Sequence, residues 1–157
     1  MSGKCIGITM KLINFIICDD IRQEVGNKLS LMGVYSDSIN FQSVADKDGQ
    51  WPRTKRIGLY VLIETEEREQ LKDIQSFEIE IDYNGEVQKI GGSDVPPPNL
   101  KTQKGVAIQA IFERFKFKEP GTICFSIQFF NKNGEKLFDA RSPNPLKVEE
   151  TILPIKS

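Results

Sequence analysis

The chain has 157 residues, 39% hydrophobic and 27% charged, with a formal net charge of -1, values ordinary for one soluble globular domain covering 1–157. That charge balance gives no long-range field for collecting nucleic acid or anionic lipid, and no run of 18 apolar residues is present to cross a membrane as a helix. No histidine occurs anywhere, which excludes Ser-His and Cys-His nucleophilic catalysis, histidine general bases and histidine metal ligands.

The first strong signal in chain order is residues 12–35, two apolar runs joined by a polar turn centred on Gly26-Asn27, which reads as a β-hairpin. A two-residue loop would set Arg22 opposite Leu31 and Glu24 opposite Leu29. A three-residue loop, Val25-Gly26-Asn27, instead sets Ile21 opposite Leu31, Ile17 opposite Tyr35 and Glu24 opposite Lys28 as an opposite-charge pair. The second register is expected, with Gly26 or Asn27 left-handed, Asp20 and Arg22 solvated, and Asp19 pointing inward beside Gly33, where backbone donors or a cation would hold its charge. The stretch before the hairpin superficially resembles a signal peptide, but Lys11 and Asn14 interrupt it; Met10 is a second candidate start.

Further along, Ile39-Asn40-Phe41 reads as a short strand and 45–54 as a polar loop containing Asp46-Lys47-Asp48-Gly49 and Trp51-Pro52. Strand 55–64 has Ile57, Leu59, Val61 and Ile63 on one face and a second face that is also fairly apolar, which predicts a central position in a sheet. Residues 65–73 are the only plausible helical turns, with Thr65 as cap. Strand 76–83 alternates cleanly and turns at Asn84-Gly85 into 87–90, after which 91–104 reads as a loop stiffened by Pro96-Pro97-Pro98. Val106, Ile108, Ala110 and Phe112 run in phase, and the phase slips at Glu113-Arg114, the mark of a β-bulge or strand break. Strand 122–131 buries Ile123, Phe125, Ile127 and Phe129, expected to face Phe77, Ile79 and Ile81 or Leu59 and Val61 across the core. Asn133-Gly134 turns it into 136–140, and a last extended segment covers 146–155.

Strands at roughly ten-residue spacing with almost no helix predict an all-β fold, an antiparallel β-sandwich of immunoglobulin-like or related topology, with a barrel as the runner-up. Cys5, Cys18 and Cys124 are odd in number and form no C-x-x-C spacing, so three free thiols and a cytoplasmic location are expected.

The run Cys18-Asp19-Asp20-Ile21-Arg22-Gln23-Glu24, followed by Asn27-Lys28-Leu29-Ser30-Leu31-Met32-Gly33-Val34-Tyr35, resembles a family of small bacterial proteins of unknown function. The late Glu119-Pro120-Gly121 turn is similar too, although Ile123-Cys124-Phe125 departs from the aromatic expected two residues after Gly121. The resemblance implies a sandwich fold in a bacterial or phage-infected cytoplasm, and no activity.

Two groups of side chains are candidate binding residues. Asp19, Asp20, Arg22 and Glu24 form an acidic cluster that could hold a cation or act as acid and base, but neighbouring strand residues point to opposite faces, and a charged strand end with local ion pairs is the favoured explanation. Arg53, Lys55 and Arg56, with Trp51, combine basic and aromatic character as nucleotide or nucleic-acid sites do; Glu64 to Glu69 and the overall charge weigh against nucleic acid. Asp46 to Gly49 fails as a calcium loop because Lys55 falls where a terminal carboxylate is required. The expected function is a non-enzymatic module that binds another protein through loops or a strand edge, without cofactor, metal or membrane, with a homo-oligomer left open. The alternatives are a small-ligand or nucleotide-binding protein, or a metal-assisted enzyme using Asp19, Asp20 and Glu24.

Overall fold

A computed structural model describes residues 9–44 and 51–154. Cys5 and the Asp46–Gly49 loop lie outside them. Ten strands follow in order: β1 Met10–Glu24, β2 Lys28–Val34, β3 Ser38–Val44, β4 Arg53–Thr65, β5 Ser76–Tyr83, β6 Glu86–Asp94, β7 Gly105–Phe117, β8 Gly121–Phe130, β9 Lys136–Arg141 and β10 Leu146–Leu153. They build two sheets. One has the order β2-β1-β4-β7; the other has β3-β10-β8-β5-β6, with β9 paired to the far end of β8.

The inner faces supply one core. Ile57, Leu59, Val61 and Ile63 of β4, with Ile17, Val106, Ile108, Phe115 and Phe117, meet Ile39, Ile79, Ile81, Ile123, Phe125, Ile127 and Phe129 of the second sheet. Phe115 and Phe125 touch across the interface at 5.7 Å between ring centroids. Each such side chain contributes about 1.5–3 kcal/mol on burial, so apolar area, rather than any ion pair, sets the two-layer arrangement. The molecule is a β-sandwich and not a closed barrel.

Several expectations need correction. Phe77, Ile79 and Ile81 do not face β8 across the core; they are its neighbours in the same sheet, opposite Phe129, Ile127 and Phe125. Those three β8 residues are fully buried, against the other sheet. The sandwich is not antiparallel throughout, because β3 and β10 pair in parallel. Strand β4 begins at Arg53, two residues earlier than the alternation suggested, and β6 runs on to Asp94 past a bulge that the Gly91-Gly92 pair made unreadable as strand. The helical turn is a 3-10 helix, Arg68–Asp73, whose entry is closed by the Gln70 side chain accepting from the Glu67 N–H at 3.1 Å, not by Thr65.

The first hairpin has the expected register. Ile21 lies opposite Leu31, Asp20 opposite Met32, Arg22 opposite Ser30 and Glu24 opposite Lys28. Gly26 and Asn27 both take positive φ, 82° and 58°, a conformation that glycine and asparagine adopt at little steric cost. β4 is central, between β1 and β7. The phase slip in β7 is a bulge: Lys55 pairs with Phe115 but Ile57 with Phe112, so Glu113 and Arg114 together face the single residue Arg56.

Candidate functional site

The fold disperses the acidic cluster of β1. The Asp19 carboxylate accepts a hydrogen bond from the Tyr35 hydroxyl and lies against Gly33. Gly33 has φ of 67°, and a Cβ there would collide with the Asp19 side chain, so glycine is demanded twice over. Asp19 therefore holds its place with a phenol, where backbone donors or a cation were expected. Burial, then the Asp19 carboxylate, pushes the Tyr35 hydroxyl well above the usual tyrosine range.

Asp20 turns to the outer surface of the four-stranded sheet, and it is not simply solvated. Its carboxylate meets Arg22 at 3.2 Å and Arg56 at 3.0 Å and accepts from the Ile21 N–H at 2.9 Å. The bond from Arg22 is the main cause that holds its carboxyl below the ordinary value, against the opposing effect of desolvation. Arg56 also pairs with Glu113, the residue displaced by the bulge. Glu24 lies apart near the turn, accepting from the Ser30 hydroxyl at 2.9 Å. Asp19, Asp20 and Glu24 thus have three separate sets of partners, and among the described residues no group of three His, Cys, Asp or Glu could hold a metal ion.

The basic group is divided in the same way. Alternation along β4 puts Arg53 and Lys55 on the inner face with Ile57 and turns Arg56 out, and the β7 bulge brings Phe117 and Phe115 into phase beside the first two. Arg53 and Lys55 close one end of the sandwich over an aromatic cluster. The Arg53 guanidinium lies 5.8 Å from the centroid of Phe41 and 5.7 Å from that of Trp51; the Lys55 ammonium is 5.6 Å from Tyr35 and 5.1 Å from Phe41. Phe41 stacks edge-on with Trp51 and with Phe117, at 5.2 and 5.3 Å. Arg53 also donates to Ser43 and to Glu150 at 3.0 Å, with both side chains of the ion pair largely covered, 22% and 16% exposed. Asp19 and Lys55, far apart in the chain, both touch Tyr35 here.

The outer face of the four-stranded sheet is the second feature. Solvent faces of antiparallel sheets are usually polar, yet the register puts Val34, Cys18, Gly58 and Ile111 in one row, Ile16, Tyr60 and Gln109 in the next, and Asn14, Leu62 and Ala107 in a third. Gly58 leaves room that the Cys18, Ile21 and Ile111 side chains occupy, each 3.2–3.3 Å from where a Cβ would stand. Cys18 is consequently buried although it lies on the outer face. That burial raises its thiol, with the neighbouring carboxylates adding to the effect and a bond to the Asp20 carbonyl opposing it. These largely apolar rows run out to β2, an edge strand with no second neighbour among the described residues, where Met32 and Val34 are 43% and 57% exposed. Asp20, Arg56 and Glu113 border them as a charged row that ends at Met32 on β2.

Tyr35, Phe41 and Glu150 were not legible as site residues: Glu150 reaches Arg53 across 97 positions of sequence. The apolar outer face had a signal in Tyr60 and Leu62, which alternate with the buried residues of β4. Glu113 had one in the phase slip.

No protein-family model matches the chain, and no curated protein matches it. Among solved structures, the crystal structure of a Niemann-Pick type C2 protein from Japanese carpenter ant is similar over 92% of this chain and 96% of that one, with 13% sequence identity and a TM-score of 0.45. The functional reading therefore rests on the side chains of this chain.

Proposed function

We propose that the protein is a non-enzymatic binding module that docks another protein on the outer face of its four-stranded sheet, at the β2 edge. The observation that carries this reading is the run of apolar rows from Leu62 and Tyr60 through Cys18 to the exposed Val34 and Met32. Soluble monomers seldom leave a contiguous apolar patch of this kind facing water, and an unpaired edge strand beside it supplies backbone donors and acceptors for an incoming segment. The charged row of Asp20, Arg22, Arg56 and Glu113 would act as the polar rim that fixes orientation.

The carboxylate-enzyme alternative loses its geometric support, since it needed Asp19, Asp20 and Glu24 in one pocket and each has its own partner elsewhere. Among the described residues Cys18 and Cys124 are unpaired thiols, the arrangement expected for the reducing compartment proposed here. The test is site-specific photo-crosslinking in the cell that makes the protein, with the crosslinker at Val34 and, as control, at Val87, an exposed position on the other sheet. A discrete adduct from position 34 that Tyr60→Asp abolishes is expected. Identical adducts from both positions, or none from position 34, would remove the proposal.

A further inference from the structure

The aromatic end of the sandwich has a use that the docking surface does not cover. We infer that Lys55, which stands over Tyr35 and Phe41 with Trp51 edge-on to Phe41, is the anchoring point for a small organic anion, a carboxylate or phosphate attached to a flat apolar ring. The argument begins with the two cations over Phe41. Arg53 is neutralised within the protein by Glu150 and Ser43. Lys55, half-buried, has no carboxylate within 4.0 Å among the described residues.

The rings beside Lys55 attract its charge, but ring faces are poor substitutes for the oxygen acceptors that an ammonium with three N–H donors requires. An anionic oxygen supplies them, and in a partly desolvated setting such a bond is stronger than the same bond in water. Tyr35, against Lys55, and Trp51, edge-on to Phe41 at 5.2 Å, are both half-buried, so the part of these rings that solvent still reaches suits the body of the ligand. On the far side, Asp19 holds the Tyr35 hydroxyl and so fixes that wall.

The charge count decides the ligand class. One ammonium with no carboxylate within 4.0 Å among the described residues suits one acid group; a nucleic-acid backbone would need a track of cations, and Arg56, the next one along β4, faces the opposite side of the sheet. This site is separate from the outer face of the four-stranded sheet, so it stands or falls independently of the docking proposal.

Trp51 is the only tryptophan, and its fluorescence is the readout. Four probes are titrated into the full chain: phenyl phosphate, benzoate, benzyl alcohol and inorganic phosphate. A saturable change is expected with phenyl phosphate, benzoate or both, the stronger of the two telling a phosphate ligand from a carboxylate ligand. The better probe should bind roughly 10- to 100-fold more tightly than benzyl alcohol, the range expected for one hydrogen bond to a charged group. Lys55→Met should lose that margin and Lys55→Arg should keep part of it, both confirmed as folded by their melting transitions. The inference is overturned if neither aromatic anion gives a saturable change, if benzyl alcohol or inorganic phosphate binds as well as they do, or if folded Lys55→Met binds like the parent. The comparison of charged and neutral probes on the unmodified protein decides the matter even if Lys55→Met does not fold.

Discussion

Arg53 and Arg56 belong to the same strand, three positions apart, and each is held by carboxylates, yet they do different physical work. Arg53 lies over Phe41 and Trp51 at the end of the core, paired with a Glu150 that is 16% exposed. Arg56 lies on the surface, 41% exposed, between Asp20 and a Glu113 that is 70% exposed. Water and salt screen the second pair and hardly reach the first. Strand alternation separates them, since positions three apart take opposite faces: Arg53, with Lys55 and Ile57, lies on the inner face and Arg56 on the outer, while the β7 bulge sets Glu113 beside Arg56 and turns Phe115 and Phe117 inward beside Lys55 and Arg53. The two-residue period of one strand thus sorts a run of basic side chains into a covered, aromatic-backed site and a solvated rim, and the bulge in its neighbour supplies partners on both faces.

The largest effect tests the inner face from which the contrast starts. Phe125→Ala removes a fully buried ring that touches Phe115 and should cost about 3–5 kcal/mol, read as a lowered denaturant midpoint. An unchanged midpoint would mean that inner and outer have been confused.

At the covered pair, Glu150→Ala leaves the Arg53 guanidinium over the rings without its counter-charge. A loss of about 1–3 kcal/mol is expected, less than for a fully buried pair because both groups keep some solvent contact. Should Glu150→Ala prove as harmless as a surface change, the two arginines would be equivalent and the contrast void. Tyr35→Phe, which strips the hydroxyl from Asp19, should cost about 1 kcal/mol; a stabilised variant would show that the bond is not made in solution. Glu113→Ala on the rim should move stability by less than about 1 kcal/mol, with the change vanishing in high salt. A loss matching that of Glu150→Ala would place Glu113 in a covered environment instead.

The smallest effect is in the acid limb of the stability curve. The folded carboxyl of Asp20 sits below its unfolded value because of Arg22 and Arg56, so the folded state releases this proton more readily than the unfolded chain. Its contribution is therefore present above about pH 4, the unfolded carboxylate value, and fades as pH falls through the lower folded value. Chemical denaturation of Asp20→Asn between pH 5 and 2 should show a shallower decline than the parent; parallel curves would mean that the rim pairs are not populated.

The sequence by itself determined the local structure: the three-residue hairpin loop, the turns at Asn84-Gly85 and Asn133-Gly134, the central place of β4 and the bulge in β7. Each of these depends on alternation or turn chemistry within a few residues, where backbone sterics and the two-residue period of a strand leave little choice. Only the tertiary structure decided that Phe77, Ile79 and Ile81 lie beside β8 and not across from it, that β3 and β10 run parallel, that Asp19 meets Tyr35, and that Arg53 finds Glu150. Apart from Asp19 and Tyr35, which close within one hairpin, those pairings join segments tens of residues apart, and alternation tells which face a side chain takes without telling which strand lies next to it. Strand order is settled by how the apolar faces of the whole chain are covered at once, and that sum is not present in any one stretch.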